Sequence, residues 1–338
     1  MAMLVVTLVA TFASLAAWQQ WRASEVEGAE RARSQAGWVL VGALDWARLI
    51  LAEDGRAGGA DYLAEPWAVP LEEARLSTFL AAGQNDSGAA DIDDAANNVF
   101  LSGRIIDLQS RLNVLDLVDG GQISPPALAA FGRLFALLGL PTTELDLLAT
   151  SLKLALAAAN AAAPPVAAAS AATGSTVASP DGPAAGANPA APLLPQRVGQ
   201  LVWLGLSPTT VAALRPYVTL LPMRTPVNLN TASAAVLYAS IPGIALADAQ
   251  RLVTQRTQTH FATLADASAA IGRASVVLSP ALYGVASSFF EVRGRLRIDQ
   301  TVVQERSVVQ RQGITVRVLW SERGVPAGEA ADPALSGD

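Results

Sequence analysis

The order of periodicities along this 338-residue chain predicts an α+β fold. Three observations carry that prediction. Residues 1–54 read as helix, residues 196–273 hold two look-alike helical hairpins, and three segments after residue 286 alternate in the manner of strands.

Composition narrows the function classes before any element is placed. The length allows two domains with their own cores. A net charge of -6 and a pI near 4.9 argue against a chain whose main task is gripping nucleic acid by its phosphates. Cysteine is absent, which excludes a disulfide framework and a thiolate metal site and leaves the redox compartment open. The single histidine, His260, rules out chemistry that needs two imidazoles and is read as a surface or capping residue. Asp107, Asp116 and Asp119 would act as an acid and a base only if burial split their pKa values, which spacing alone does not establish. There is no P-loop, no Gly-x-Gly-x-x-Gly and no Gly-x-Ser-x-Gly, so no catalytic residue is assigned and an enzyme is not expected.

The N-terminal run MAMLVVTLVATFASLAAW, residues 1–18, carries no charge. As a helix it would be about 27 Å long, close to the ~30 Å of a bilayer core. Met1, Leu4, Val5, Leu8, Phe12, Leu15 and Trp18 are its anchor residues; Trp18 and Trp21, followed by Arg22, Glu25 and Glu27, mark an aromatic belt meeting water. A cleaved signal would open with a basic region and close with a small-residue cleavage site, and neither is present. The helical pattern runs on: Val26, Ala29, Ala36, Val39, Leu40, Ala43, Leu44, Ala47, Ile50 and Leu51 recur near a 3.6-residue period, with Gly55 expected as the stop. Two readings stay open, one unbroken helix of roughly 80 Å or a membrane helix joined to a separate amphipathic one.

Residues 55–98 are rich in Gly, Ala and Asp, and Asp91, Asp93 and Asp94 offer oxygens to a hard cation such as calcium. The glycine and the twelfth-position glutamate of an EF-hand are missing, and a solvated acidic loop is the commoner meaning of such a run. Next, VFLSGRIIDLQSRLNVLDLV starts as a strand, and Pro125 and Pro126 open a helix whose Leu128, Phe131, Leu134, Phe135 and Leu138 share one face. Residues 156–195 are Ala- and Pro-rich with few large side chains, as expected of a flexible linker.

Both hairpins centre on a glycine turn. RVGQLVWLGLSPTTVAALRPYV turns at Gly205, and VNLNTASAAVLYASIPGIALADAQRLVTQR turns at Pro242 and Gly243, with Thr231 or Ser233 as the helix cap. Such hairpins serve either DNA, through backbone N–H groups held toward a phosphate, or plain packing. Arg197, Arg215, Arg224, Arg251, Arg256 and Arg273 outnumber Asp248 and Asp266, which favours DNA. Ala245 stands where DNA-binding hairpins carry a second glycine, and its Cβ hinders close approach of a phosphate.

With these segments quoted, the chain resembles the K-type minor pseudopilin of type II secretion, general secretion pathway protein K. The resemblance rests on the apolar N-terminal helix, DYLAEPWAVPL, SGRIIDLQSRLNVLDLV, LRPYVTLLP and TPVNLNTASAAVLYASIPGI, in family order over most of the chain. It implies a pilin-like long N-terminal helix packed on an antiparallel sheet, with an inserted all-α domain of the helix-hairpin-helix or SAM-like kind. The implied divisions are a transmembrane segment 1–21, a first pilin-like part 22–118, the insertion 119–285 interrupted by the linker 156–195, C-terminal strands 286–325 and a disordered tail 326–338. SSFFEVRGRLRIDQ, VVQERSVVQRQG and ITVRVLW agree independently by their alternation.

In function the resemblance implies a single-pass subunit of the bacterial inner membrane with its bulk in the periplasm, at the tip of a short filament that drives export of folded proteins. Its partners would be the I-, J- and H-type minor pseudopilins, the major pseudopilin and membrane lipid, met through the exposed stripe of the helix after Trp21. No small-molecule substrate or cofactor is implied. Most pilin-like subunits carry a glutamate at the fifth mature position; Val5 stands there if Met1 is the first mature residue, and an apolar residue suits a subunit with no neighbour above it. Simple hydrophobic anchoring would give the same valine. The family's basic leader, cut by the prepilin peptidase before N-terminal methylation, does not precede Met1, so the sequence is expected to start at or near the mature end. Family members also carry a Trp- and Asp-rich segment, associated with calcium in some, where this chain reads LLATSLKLALAAANAAA; the acids are missing and calcium there is doubtful. The rival reading is a membrane-anchored helix-hairpin-helix DNA-binding protein of the competence type.

Overall fold

The structure, a computed structural model, describes residues 2–78, 99–162, 191–273, 276–298 and 301–324. Asp91, Asp93 and Asp94, most of the expected linker, and the expected tail lie outside the described residues.

Helix α1, Ala2–Ala57, is unbroken over its 56 residues, so the one-helix reading holds. It does not stop at Gly55. A glycine inside a helix weakens it by about 1 kcal/mol relative to alanine without ending it, and the helix terminates before Gly58, whose φ is +65°. Gly55 has a different reason to be glycine: a Cβ there would collide with the Gly313 carbonyl.

The chain divides into two compact units. The first comprises Met1–Gly58, Ala64–Ile106 and Phe290–Asp338. It contains strands β1 Leu71–Arg75 and β2 Val99–Asp107; after β3 Leu112–Asn113, β4 Val118–Asp119, β5 Gln122–Ile123, β6 Val218–Thr219, β7 Val227–Asn228 and β8 Tyr283–Gly284 of the other unit, the chain returns as β9 Phe289–Ile298, β10 Thr301–Gln312 and β11 Thr315–Arg323. The five long strands form one sheet in the order β1-β2-β9-β10-β11. β1 is antiparallel to β2 and β10 to β11, the latter pair closing through Gly313 at φ +57°. The buried face of α1 recurs as Ala36, Leu40, Ala47 and Leu51, the spacing of a helix stripe. It meets Leu101 and Leu296 toward one end and Phe290, Val292, Val309 and Val316 toward the other. Trp67 closes that core edge-on to Phe290, with ring centroids 5.1 Å apart.

The second unit comprises Gly59–Leu63 and Asp107–Phe289. Its helices are α2 Pro125–Leu138, α3 Thr142–Ala162, α4 Pro208–Leu214, α5 Ala234–Ser240, α6 Leu246–Gln258 and α7 Leu264–Ile271, with a 3-10 helix at Val198–Leu204. They enclose one core centred on Phe131, Leu134, Phe135, Leu148, Leu201 and Leu237. The insertion therefore begins at Asp107, not at residue 119, because Val114, Leu117 and Val118 pack into the helical core rather than beside the sheet. Likewise α3 carries the chain to Ala162, past the expected start of the linker at 156; alanine is the strongest helix former and needs no large side chain to extend a turn. Residues 163–190 lie outside the described residues.

Candidate functional site

Three places carry the functional reading: the outer half of α1, a buried polar node in the helical unit, and the two hairpin turns. Along α1, Leu4, Val5, Leu8, Phe12, Leu15 and Trp18 are all exposed; Met1 lies outside the described residues. The hydroxyls in this stretch return to their own helix: Thr7 donates to the Leu4 carbonyl at 3.0 Å, Thr11 to the Leu8 carbonyl at 2.8 Å and Ser14 to the Ala10 carbonyl at 2.9 Å. Thus no hydroxyl here asks for water, which is the condition for lying in hydrocarbon. Arg22 sits 4.8 Å over the Trp18 ring, where the uncharged stretch ends. Among the described residues α1 alone is long and apolar enough to cross a membrane.

Between Trp38 and Leu49, α1 also exposes apolar side chains on the side away from the core. Opposite the buried Ala36, Leu40, Ala47 and Leu51 run Trp38, Val41 and Leu49, of which Trp38 is 76 % and Leu49 65 % exposed. The sequence expectation of an exposed stripe there corresponds to these three residues.

The polar node gathers residues far apart in the chain. Asp107 is fully enclosed and accepts hydrogen bonds from the Gln109 amide (2.7 Å), Asn228 Nδ2 (3.1 Å), the Thr231 hydroxyl (2.5 Å) and the Ser287 hydroxyl (2.6 Å). Asn228 also donates to the Asp61 carbonyl at 3.2 Å, and the Ser287 amide donates to the Asp61 carboxylate at 2.6 Å. Burial raises the Asp107 carboxyl above the ordinary range, while its four donors pull it back. Asn230, two residues on, exchanges hydrogen bonds with the Phe261 backbone at 2.9 and 2.8 Å. Such enclosure suits fastening and leaves no room for a substrate. In the sequence Asp107 reads only as a loose carboxylate, and its one signal is a place in the DLQS block.

At the first hairpin the leading segment is 3-10 rather than α, and Gly205 turns it at φ +99° into α4. Ser207 caps α4 through the Thr210 amide at 3.2 Å, and its own amide donates to the Glu144 carboxylate at 3.0 Å. That bond holds Glu144 below the usual carboxylate range. At the second, Ser233 caps α5 through the Val236 amide at 3.3 Å, which resolves the choice between the two caps; Thr231 serves Asp107 instead. Pro242 and Gly243, the latter at φ +82°, lead to α6.

The Ala245 amide at the start of α6, which would face a phosphate, donates to the Asp248 carboxylate at 3.0 Å. Arg251 and Arg273 pair with the same carboxylate at 2.9 and 2.6 Å, and Arg273 also donates to the Gly243 carbonyl at 2.7 Å. The amide first, then the arginines, keep Asp248 below its ordinary range. Arg256 is buried and donates to the Leu229 carbonyl at 2.6 Å, and Arg224 lies against Asp116 and Asp119. Arg224, Arg251, Arg256 and Arg273, among the arginines that favoured DNA, are thereby engaged within the unit.

Asp116 is pushed up to about 7 by burial, against the opposing pull of the Thr225 amide and Arg224. His260 stacks on Tyr62, ring centroids 3.8 Å apart and 7° from parallel, and is neither a cap nor part of an acid-base pair among the contacts described.

With this geometry in hand, comparison with known proteins is specific. Two models of the type II secretion system protein K match residues 110–223 and 227–285, together just over half of the chain. Among solved structures, a chain from the crystal structure of the GspK-GspI-GspJ complex of the enterotoxigenic Escherichia coli type 2 secretion system is similar in fold. The likeness has a TM-score of 0.58 at 17 % identity and covers 88 % of this chain and 98 % of that one. No curated protein sequence matches. The chain belongs to the protein K family of the type II secretion system, the K-type minor pseudopilins.

Proposed function

We propose that the chain is the tip subunit of the pseudopilus, held by residues 2–21 in the inner membrane with both units in the periplasm, and that its task is assembly rather than catalysis. It would sit beside I- and J-type minor pseudopilins, with the H-type and major subunits beneath. The observation that carries this reading is the set of apolar side chains that α1 exposes away from the core. Trp38, Val41 and Leu49 are exposed on the side opposite the core, with the Asp45–Arg48 ion pair between Val41 and Leu49, and a partner lying along this side would take their apolar area out of water. The related solved chain comes from a complex with GspI and GspJ, which supports the same kind of neighbour here.

The experiment mixes the soluble part, from about Ala23 onward, with I- and J-type partners and reads the mass by size exclusion with light scattering. A stable ternary complex at micromolar concentration is expected; separate monomers would remove the reading. A salt-sensitive mobility shift of the domain 196–273 on duplex DNA would instead reverse the order in favour of the competence-type receptor. Against that rival stands Asp248, which places a carboxylate where the phosphate would go.

A further inference from the structure

Beneath α1 the first unit holds a cavity of about 220 Å³. Its roof is the helix at Leu40, Ala43, Leu44 and Ala47, and its floor runs from β2 across β9 to Glu305 and Ser307 of β10. The sequence leaves this space open from both sides. Leu101 and Ile105 face α1, as do Val292 and Leu296, so alternation puts Gly103 and Gly294 between them on the same face. β2 cannot fill the space from Gly103, where a Cβ would lie 2.8 Å from the Arg293 carbonyl oxygen. Ala43 and Ala47, one turn apart on the helix above, are too short to reach down.

The mouth is framed by Trp46, Pro66, Val69 and Pro70, all exposed, whereas Glu305 and Ser307 at the inner end are buried. The polar groups at that end serve one another. Ser307 donates to Ser321 at 2.9 Å, Ser321 to the Glu305 carboxylate at 2.9 Å, and Arg323 to the second Glu305 oxygen at 2.8 Å. Between mouth and inner end the walls are mainly hydrocarbon, and a trapped water needs about two to four polar partners. Protein interiors keep few voids larger than a water molecule, and a dry cavity of ~150 Å³ already holds benzene. This cavity therefore suits an apolar occupant.

Its shape narrows the choice. From β2 to β10 is two strand spacings, about 10 Å, and the volume spread over that length has a mean section of about 20 Å². Such a slot is too deep for a leucine or phenylalanine side chain to fill and too narrow for two chains side by side. We infer that the cavity binds one extended alkyl chain of about eight carbons, each carbon advancing a little less than the ~1.5 Å of a carbon–carbon bond, with the polar head left in water at the mouth. With residues 2–21 in the bilayer, Ala43 stands about 33 Å beyond Trp21 along one unbroken helix. A lipid seated in the membrane cannot lift its chain that far. The chain belongs instead to a molecule outside the bilayer, either a free fatty acid or an acylated polypeptide.

The test uses the full chain in lipid nanodiscs, a photoactivatable octanoate carrying a diazirine near its methyl end, and mass spectrometry of the labelled peptides. Label is expected in residues 40–50 and 66–71, apart from any that the bilayer directs to residues 2–21. Unlabelled carboxylates of about four to about twelve carbons should displace it about fourfold more strongly per added methylene, levelling off near eight carbons, where further methylenes stay in water. Displacement by octanoate alone assigns a free acid and by an N-octanoylated peptide alone an acylated polypeptide; either upholds the slot. Ala43→Leu fills the slot from the helix and should lose the label roughly tenfold or more while melting at or above the wild-type temperature. Should this variant melt lower, the chain-length series on wild type decides. The proposal is overturned if only residues 2–21 are labelled, or if displacement does not rise with chain length or climbs undiminished beyond eight carbons. It is equally overturned if a peptide with an N-terminal phenylalanine in place of the acyl group displaces the probe as well, or if a well-folded Ala43→Leu variant labels as wild type does.

Discussion

The Thr231 hydroxyl meets the Asp107 carboxylate across 2.5 Å, joining residues 124 positions apart in the chain. Three side-chain donors, from Asn228, Thr231 and Ser287, converge on that one buried carboxylate. Asp107→Ala would strand all of them in an enclosed site, where each unsatisfied group costs about 1–3 kcal/mol. We expect a loss of roughly 3 kcal/mol or more in urea unfolding of the soluble part, and about half of that for Thr231→Val, which removes a single donor.

Stability should fall as the solution is made alkaline. Asp116 and Asp107 both bind a proton more readily folded than unfolded, the first with a folded pKa of about 7. Their contribution is complete below about pH 4, the ordinary carboxylate value, and for Asp116 is lost as pH rises through 7. The unfolding free energy should therefore fall between pH 5 and pH 8 by on the order of a few kcal/mol, with the melting curves moving to lower temperature. Asp116→Asn should flatten most of that slope; a slope that persists in this variant would mean that another group carries it.

The stripe on α1 separates folding from assembly. Because Trp38 and Leu49 are largely exposed, Trp38→Asp/Leu49→Asp should leave the unfolding midpoint of the isolated soluble part within about 1 kcal/mol of wild type. The same pair should abolish co-elution with I- and J-type partners. Leu40→Asp, on the buried side, should unfold the first unit instead.

Membrane attachment depends on the first 21 residues. The full chain should float with lipid vesicles in a density gradient and resist extraction by salt, whereas the truncation starting at Ala23 should stay in the dense fraction. Flotation of the truncated form would relocate the anchor.

The parts of the molecule legible in the sequence were those written in local period. The apolar run into α1, the alternation of β9, β10 and β11, and the prolines opening α2 each need only neighbours within a few positions, and each appears as expected. Gly55 reads locally as a stop, yet a helix tolerates glycine where another chain segment passes close, and that approach by Gly313 is long-range. The end of α3 was missed because a run of alanines is equally good helix and poor core, so low hydrophobic content did not mean low order. The division at Asp107 and the node around it depend on burial and on contacts more than 100 residues apart, which no window registers.

That node has a kinetic consequence. β2 and β9 are neighbours in the sheet, yet the Asp107–Ser287 hydrogen bond spans 180 positions of sequence. Closing a structureless loop of that length would cost roughly 4–5 kcal/mol in chain entropy. If the insertion matures first, as its own core permits, its two ends emerge already clasped and the remaining strands zip as though they were contiguous. An emerging polypeptide would then have little need to hold β1 and β2 exposed for long, and refolding after dilution should show the helical unit regaining its amide protection ahead of the sheet.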